Sequence, residues 1–262
     1  MMRTHITTVS THAGSKDISK QAPDYGLDAP GAVRAMFIVG LVGTIVGLLL
    51  ERSTLSRHTD LVYTIQIFGF FCLVVASLMF LSSRFGKFRA RDRLLARLKL
   101  RGDETVLDVG CGRGLLLIAA AKLLPRGHAV GIDLWSQRDL SDNSREATLW
   151  NAALEGVAER VIVRDGDMRK MPFAERSFDA TVANFAIHNV RGHEGRREAI
   201  RDIVRTLKQG GQVAISDIHP FVKFYADELR KSDMTDVEIS GLSLWTFPPA
   251  RTVTARKRSQ SV

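Results

Sequence analysis

The sequence predicts an α/β protein: a doubly wound, mostly parallel sheet of seven strands, preceded by a transmembrane helical hairpin. Three observations predict it. Two uncharged apolar runs occupy residues 35–50 and 61–81. From residue 104 onward, short strand-like segments alternate with helical ones, as in sheets built from βα units. The first of those strands runs into a glycine turn, VLDVGCGRG at residues 106–114. Ligands of such sheets bind beyond the carboxyl ends of the strands, at the switch point.

Composition narrows the partners. The chain has 262 residues, 45% hydrophobic and 25% charged, enough for one sizeable folded domain with additions. Its net charge of +9 is unevenly placed. Residues 82–101 hold eight Lys and Arg against one acid, Asp92, and the tail adds Arg251, Arg256, Lys257 and Arg258. The remainder is nearly neutral, so no nucleic-acid partner is expected. Two cysteines, Cys72 and Cys111, are too few for a disulfide framework or a zinc site. No metal is expected.

The elements follow in order. Residues 1–31 are rich in Ser, Thr, Gly and Pro and are expected to be a disordered tail. Residues 32–81 form the hairpin. Its first run, sixteen uncharged residues at 35–50, is shorter than the roughly 20 needed to cross a bilayer. Val33 extends it, and Arg34 and Arg52 can snorkel. The second run, 61–81, has twenty-one uncharged residues. A ten-residue connection, 51–60, makes the two antiparallel. Gly43 and Gly47, with Gly40 near them, allow close helix approach, and Gln66 is placed to bond across the hairpin. Residues 82–103 read as a basic amphipathic linker helix with Leu94, Leu95 and Leu98 on one face. The helix can lie on anionic headgroups, pack its leucines on the sheet as the domain's first helix, or do both. The basic collar places its side of the membrane, and the N-terminus, in the cytoplasm. A lipid bilayer is therefore an expected partner.

Residues 104–258 form the folded α/β domain. Strands are expected at 105–109, 128–132, 160–163, 178–184, 212–217, 237–243 and 252–255. Helices are expected at 115–124, 145–154, 195–207 and 221–230, the third ending at Gly210-Gly211. A nicotinamide fingerprint would read G-x-G-x-x-G, whereas Gly110, Gly112 and Gly114 make G-x-G-x-G. Asp108, inside the first strand, is also foreign to that fingerprint. A buried carboxylate needs a polar partner, and an ammonium-bearing ligand supplies one. S-adenosyl-L-methionine has that group and NAD does not.

On these residues the segment from about 105 to 257 resembles the class I S-adenosylmethionine-dependent methyltransferases, notably the small-molecule branch near the quinone C-methyltransferases and arsenite methyltransferases. The resemblance implies a Rossmann-like fold. It also implies that Gly110, Cys111, Gly112 and Gly114 approach the methionine portion and that Asp108 serves its amino group. GIDLW resembles the second motif, with Asp133 for the ribose hydroxyls and Leu134 over the adenine. DGDMRKMPF resembles the third, with Asp167 accepting from the adenine amino group and Met168 flanking the ring. ANFAIHNV resembles the fourth-strand motif, with Asn184 near the methionine end. LKQGGQVAISD resembles the turn into the fifth strand. Turn geometry alone is the competing reading for the glycines, Asp133 and Asp167, and a structural role for Cys111.

Methyl transfer is mainly a matter of alignment. A base is needed only where the acceptor keeps its proton, and His188 beyond the fourth strand is the candidate. The alternative is that His188 shapes its loop with Asn189. Asp217, His219 and Tyr225 are lesser candidates; His128 and His193 are expected at the surface. Residues 184–187 (NFAI) lack the prolines of amino-methylating DNA enzymes, and no cysteine follows Cys111 for cytosine C5 chemistry. The arsenite branch uses several cysteines that are absent here. A small or lipophilic acceptor remains; the hairpin favours a lipid, quinone or other hydrophobic molecule taken from the bilayer, with the loop 135–143 and the collar as its route in.

Overall fold

The structure is a computed structural model that describes residues 21–52 and 59–259. Residues 1–20, residues 53–58 of the hairpin connection and residues 260–262 lie outside it.

Helix α1 spans Pro30–Glu51 and α2 Thr59–Leu81. The 22 residues of α1 give it about 33 Å at 1.5 Å per residue, so the helix is long enough where the uncharged run alone was short. In the most apolar stretches of the two helices only 11% and 17% of residues are buried. Core helices of a soluble domain would be mostly buried; here Ile38, Leu49, Ile67 and Phe70 are at least 60% exposed. Both helices are long and apolar enough to cross a membrane.

They meet through glycine. A Cβ on Gly40 would stand 2.8 Å from the Leu73 backbone nitrogen, and one on Gly43 3.2 Å from the Gly69 Cα. Gly69 reciprocates, its absent Cβ lying 2.6 Å from the Thr44 nitrogen. Gln66 Nε2 donates across the hairpin to Glu51 Oε2 at 3.0 Å. Gly69→Leu is expected to push the helices apart at a cost of about 1–3 kcal/mol. Detergent-titrated unfolding of the reconstituted chain measures it, and an unchanged midpoint would contradict the packing.

Helix α2 does not stop at the collar. Through a π-helical turn, Ser82–Gly86, it continues into α3, Lys87–Leu95. Leu94, Leu95 and Leu98 are at most 4% exposed and pack against Leu117, Val106 and Ala180. Of the two readings of that face, packing on the sheet is the observed one. Lys87 also leaves the basic surface: its Nζ donates to the carbonyls of Tyr25 and Gly26 at 2.9 and 2.6 Å, and burial lowers its pKa.

The domain follows as β1 Thr105–Val109, α4 Leu115–Lys122, β2 His128–Asp133, α5 Arg145–Leu154, β3 Val161–Asp165 and β4 Phe178–Asn184. Then come α6 Gly192–Thr206, β5 Leu207–Ile218, α7 His219–Lys231, β6 Met234–Ile239 and β7 Ala250–Lys257. The strand order is β3-β2-β1-β4-β5-β7-β6, with β7 antiparallel to both neighbours and the first five strands parallel. Helices cover both faces. Leu107 and Val109 face α6 and α7; Val106 joins the core formed with α3 and α4.

Three expectations change. The glycine pair Gly210-Gly211 does not end α6, which stops at Thr206; it lies inside β5, near a register shift against β4 between Phe178 and Ala180. Lys257 from β7 instead serves the helix end, its Nζ donating to Val204 O and Leu207 O at 2.6 and 2.8 Å. The sixth strand begins at Met234 rather than near 237. Of the tail expected over 1–31, residues 1–20 lie outside the described residues, and residues 21–31 hold fixed contacts to the domain and open α1. Tyr25 is 5% exposed within the core of α3 and α4, and its hydroxyl donates to Glu155 Oε1 at 2.9 Å.

Candidate functional site

The site lies at the carboxyl ends of β1, β2, β3 and β4, where β1 sits between β2 and β4 and the connections diverge. The turn after β1 is pinned from below: the Gly110 and Cys111 amides donate to Ile132 O at 2.8 and 3.2 Å. Gly110 has φ +73, and a Cβ there would stand 2.4 Å from the Ala186 Cβ. Gly112 has φ +51 and its amide donates to Asp133 Oδ2 at 2.8 Å. Gly114 leads into α4, its carbonyl accepting from the Ile118 amide at 2.9 Å.

Asp133 closes β2 and is clasped by the turn. Besides Gly112, the Trp135 amide donates to its Oδ1 at 2.6 Å and Asn143 Nδ2 at 3.4 Å. Each oxygen has one strong protein donor, so lone pairs remain for a diol. Leu134 beside it is 65% exposed, an uncovered apolar surface at the strand end. Asp167, past β3, is engaged by Arg169, whose Nε and Nη2 lie 2.9 and 2.5 Å from Oδ2; that guanidinium holds its pKa below the usual carboxylate value. Met168 places its methyl 3.7 Å from where a Gly110 Cβ would be. Thus Gly112 meets Asp133 and Gly110 meets Met168 at the strand ends, with Leu134 and Asp167 next to them in the chain.

The polar accounting at these strand ends is incomplete. Neither carboxyl oxygen of Asp108, a residue 1% exposed, has a hydrogen-bond partner of normal geometry, and the buried Oδ1 atoms of Asn143 and Asn184 have none. Such atoms are costly unless something pairs with them. Burial raises the Asp108 pKa to about 8, the negative charge of Asp133 adds to this, and the Leu117 amide opposes it. The Cys111 thiol is pushed well up by the same burial, then by Asp108 and Asp133, so it is no nucleophile. Its Sγ lies 2.7 Å from where a Gly131 Cβ would be, packed against β2.

The Asp108 shift has a measurable sign. With its folded pKa raised, the native state keeps a proton that the unfolded chain releases above about pH 4. Stability without ligand is therefore expected to fall as pH rises from about 4 to about 8. Asp108→Asn should flatten that slope in denaturant titrations across pH. An identical slope in the variant would assign it elsewhere.

Beyond β4 and β5 a second cluster forms. His188 Nδ1 lies 2.7 Å from Asp217 Oδ1, and Asp217 is fully buried. The His188 amide and the Tyr225 hydroxyl donate to Asp217 Oδ2 at 3.1 and 2.9 Å. Burial, followed by the Asp217 charge, raises the Tyr225 pKa. The imidazole sits between Phe185 and Phe221, at ring-centre distances of 6.3 and 6.0 Å. His188 thus lies against Asp217 rather than bonded to Asn189; its Nδ1 makes no hydrogen bond of normal geometry, and its Nε2 has no hydrogen-bond partner among the described residues. His128, His193 and His219 are exposed.

Sequence reasoning missed the scaffold behind the turn. Thr148 Oγ1 donates to Gly112 O at 2.6 Å, and Asn151 Nδ2 to Arg113 O at 2.9 Å and to Asp24 O at 2.7 Å. Arg113 reaches Asp24 O, Asp24 Oδ2 and Asp142 O at 2.7, 3.0 and 2.9 Å. Ser144, Thr148 and Asn151 recur at helical spacing, a pattern legible as one polar face of α5. Nothing local marks Asp24 as their partner.

The family described as a methyltransferase domain matches residues 106–211, from β1 into β5. The demethylmenaquinone methyltransferase of Lactobacillus johnsonii is 28% identical over 127 residues, 48% of each chain. The arsenite methyltransferase of Halobacterium salinarum is 30% identical over 141 residues, 53% of this chain and 34% of its own. The chain thus spans about half or less of the curated relatives it matches. A geranyl diphosphate C-methyltransferase from Streptomyces coelicolor, solved with S-adenosyl-L-homocysteine, has a TM-score of 0.51 at 14% identity, covering 65% of this chain and 79% of that one. At that identity the likeness concerns the fold. Residues 106–211 therefore resemble a methyltransferase domain, and the sheet has the Rossmann-like doubly wound fold of such enzymes.

Proposed function

We propose that this protein is a membrane-anchored S-adenosyl-L-methionine-dependent methyltransferase acting on a small lipophilic acceptor. The observation that carries the cofactor assignment is the buried, unpartnered Asp108 carboxylate beside a turn with no room for a Cβ. An ammonium group meets the first, and close backbone approach the second. Asn184 and Asn143 offer further acceptors, Asp133 fits a ribose diol, and Leu134 and Met168 offer apolar surface to a base. Bound there, the cofactor supplies an electrophilic methyl group.

The residues of this chain then orient and deprotonate. Asp217 accepts from the His188 amide and lies 2.7 Å from Nδ1, which fixes the ring beside it and directs Nε2 to take a proton from an acidic O–H or C–H acceptor. Phe185 and Phe221 flank the imidazole and give the acceptor side an apolar lining. The exposed apolar sides of α1 and α2 support two membrane spans, and the basic collar supports a cytoplasmic domain. A relative named for demethylmenaquinone favours a quinone-like acceptor.

The test uses the full chain in its membranes with methyl-labelled cofactor. Label in the organic extract is the expected result; label confined to protein would replace this reading with that of a protein methyltransferase held by its anchor. Cofactor binding without label in any fraction would make it a non-catalytic binding protein. Deleting residues 1–81 is a poor control, because it removes Tyr25 from the core and Asp24 from Arg113.

A further inference from the structure

Where α2 ends, a second element from the far end of the sequence stands beside it. The link from β6 to β7, residues 240–249, is stitched to the π-helical turn that follows the span. The Phe247 amide donates to Ser82 Oγ at 2.7 Å, and a Cβ on Gly86 would collide with the Trp245 carbonyl oxygen at 1.7 Å. The loop therefore sits within about one to two helical turns of Leu81. Its outward side chains are apolar: Leu244 is 78% exposed, Leu242 48% and Trp245 37%, and Phe85 of the turn adds 59%.

Two guanidiniums frame this patch. Arg89 and Arg93, one and two turns into α3, stack on the Trp245 ring at 4.6 and 5.0 Å from its centre. Arg84 is exposed on the turn itself. A tryptophan that carries two stacked arginines and is flanked in its loop by exposed leucines matches a membrane–water boundary, where apolar groups meet acyl chains and cations meet phosphates. A partner protein would not need the patch to lie level with the end of a span; a bilayer crossed by α2 puts it there.

We propose that the loop 240–249 docks into the interface of an anionic lipid surface, so that the domain is held to the bilayer at a second point and cannot swing freely about α2. This rests on the reading of α1 and α2 as membrane spans. The earlier candidate for headgroup contact, the leucine face of the collar, is buried in the domain. Leu242, Leu244, Trp245 and Phe85 take that role.

The full chain carries three tryptophans, Trp135, Trp150 and Trp245. It is reconstituted into vesicles of phosphatidylcholine and phosphatidylglycerol with brominated acyl chains, and retention is scored after an alkaline carbonate wash. The expected result is retention, with tryptophan emission quenched more in the wild type than in Trp245→Phe. Leu244→Asp, at a position with little to lose in folding, should abolish that extra quenching. Vesicles without phosphatidylglycerol should weaken it. A retained chain whose quenching is the same with and without Trp245 would overturn the docking and leave the spans intact. Equal quenching in the two lipid mixtures would overturn its anionic preference. A chain stripped off by carbonate would overturn spans and docking together.

Discussion

Gly110→Ala is expected to abolish cofactor binding and to cost about 2–5 kcal/mol of stability, summing a left-handed backbone forced on alanine and an overpacked contact. The backbone at Gly110 sits at φ +73, and the new methyl would stand 2.4 Å from Ala186. Ala186 begins the segment between Phe185 and His188, so the clash reaches the second cluster as well. Calorimetric titration with S-adenosyl-L-homocysteine measures binding, and denaturant unfolding measures stability. Binding within threefold of wild type would refute the tight turn as the cofactor cradle.

His188→Ala is expected to lower the turnover number by about 10²–10⁴-fold, the usual contribution of a positioned general base. Cofactor affinity should stay unchanged, because the imidazole lies with Asp217 and Tyr225 rather than with Asp133 and Gly112. Asp217→Asn should reduce turnover as well, since it removes the carboxylate that lies 2.7 Å from Nδ1 and accepts from the His188 amide and the Tyr225 hydroxyl. A variant at 188 with wild-type turnover would show that the acceptor reaches the site already deprotonated. Loss of turnover and of affinity together would instead mark His188 as a structural residue of the loop.

Much of this was legible in the sequence because the signals are local. The glycine turn, the strand-end acids Asp133 and Asp167, and the alternation of segments each depend on a few adjacent residues. The hairpin was legible too, since two uncharged runs of helical length are separated by a short charged connection. Gln66 could be assigned a partner across the hairpin because a lone polar side chain in an apolar run has few others. The glycine pair at 210–211 misled because it is a strong breaker signal; pairing with β4 overrode it, and the chain runs through both glycines as strand.

By itself, the sequence determined that the chain has an apolar hairpin, a doubly wound sheet and a tight glycine turn after its first strand. Tertiary structure alone decided which distant residues complete these parts. It brought Asp24 to Arg113 and Asn151, Asp217 to His188, and Trp245 to Arg89 and Arg93. Those pairs are separated by 29 to 156 positions in the chain. No local spacing encodes them: they arise when the strands take the order β3-β2-β1-β4-β5-β7-β6 and buried polar groups must find partners in the space that order leaves.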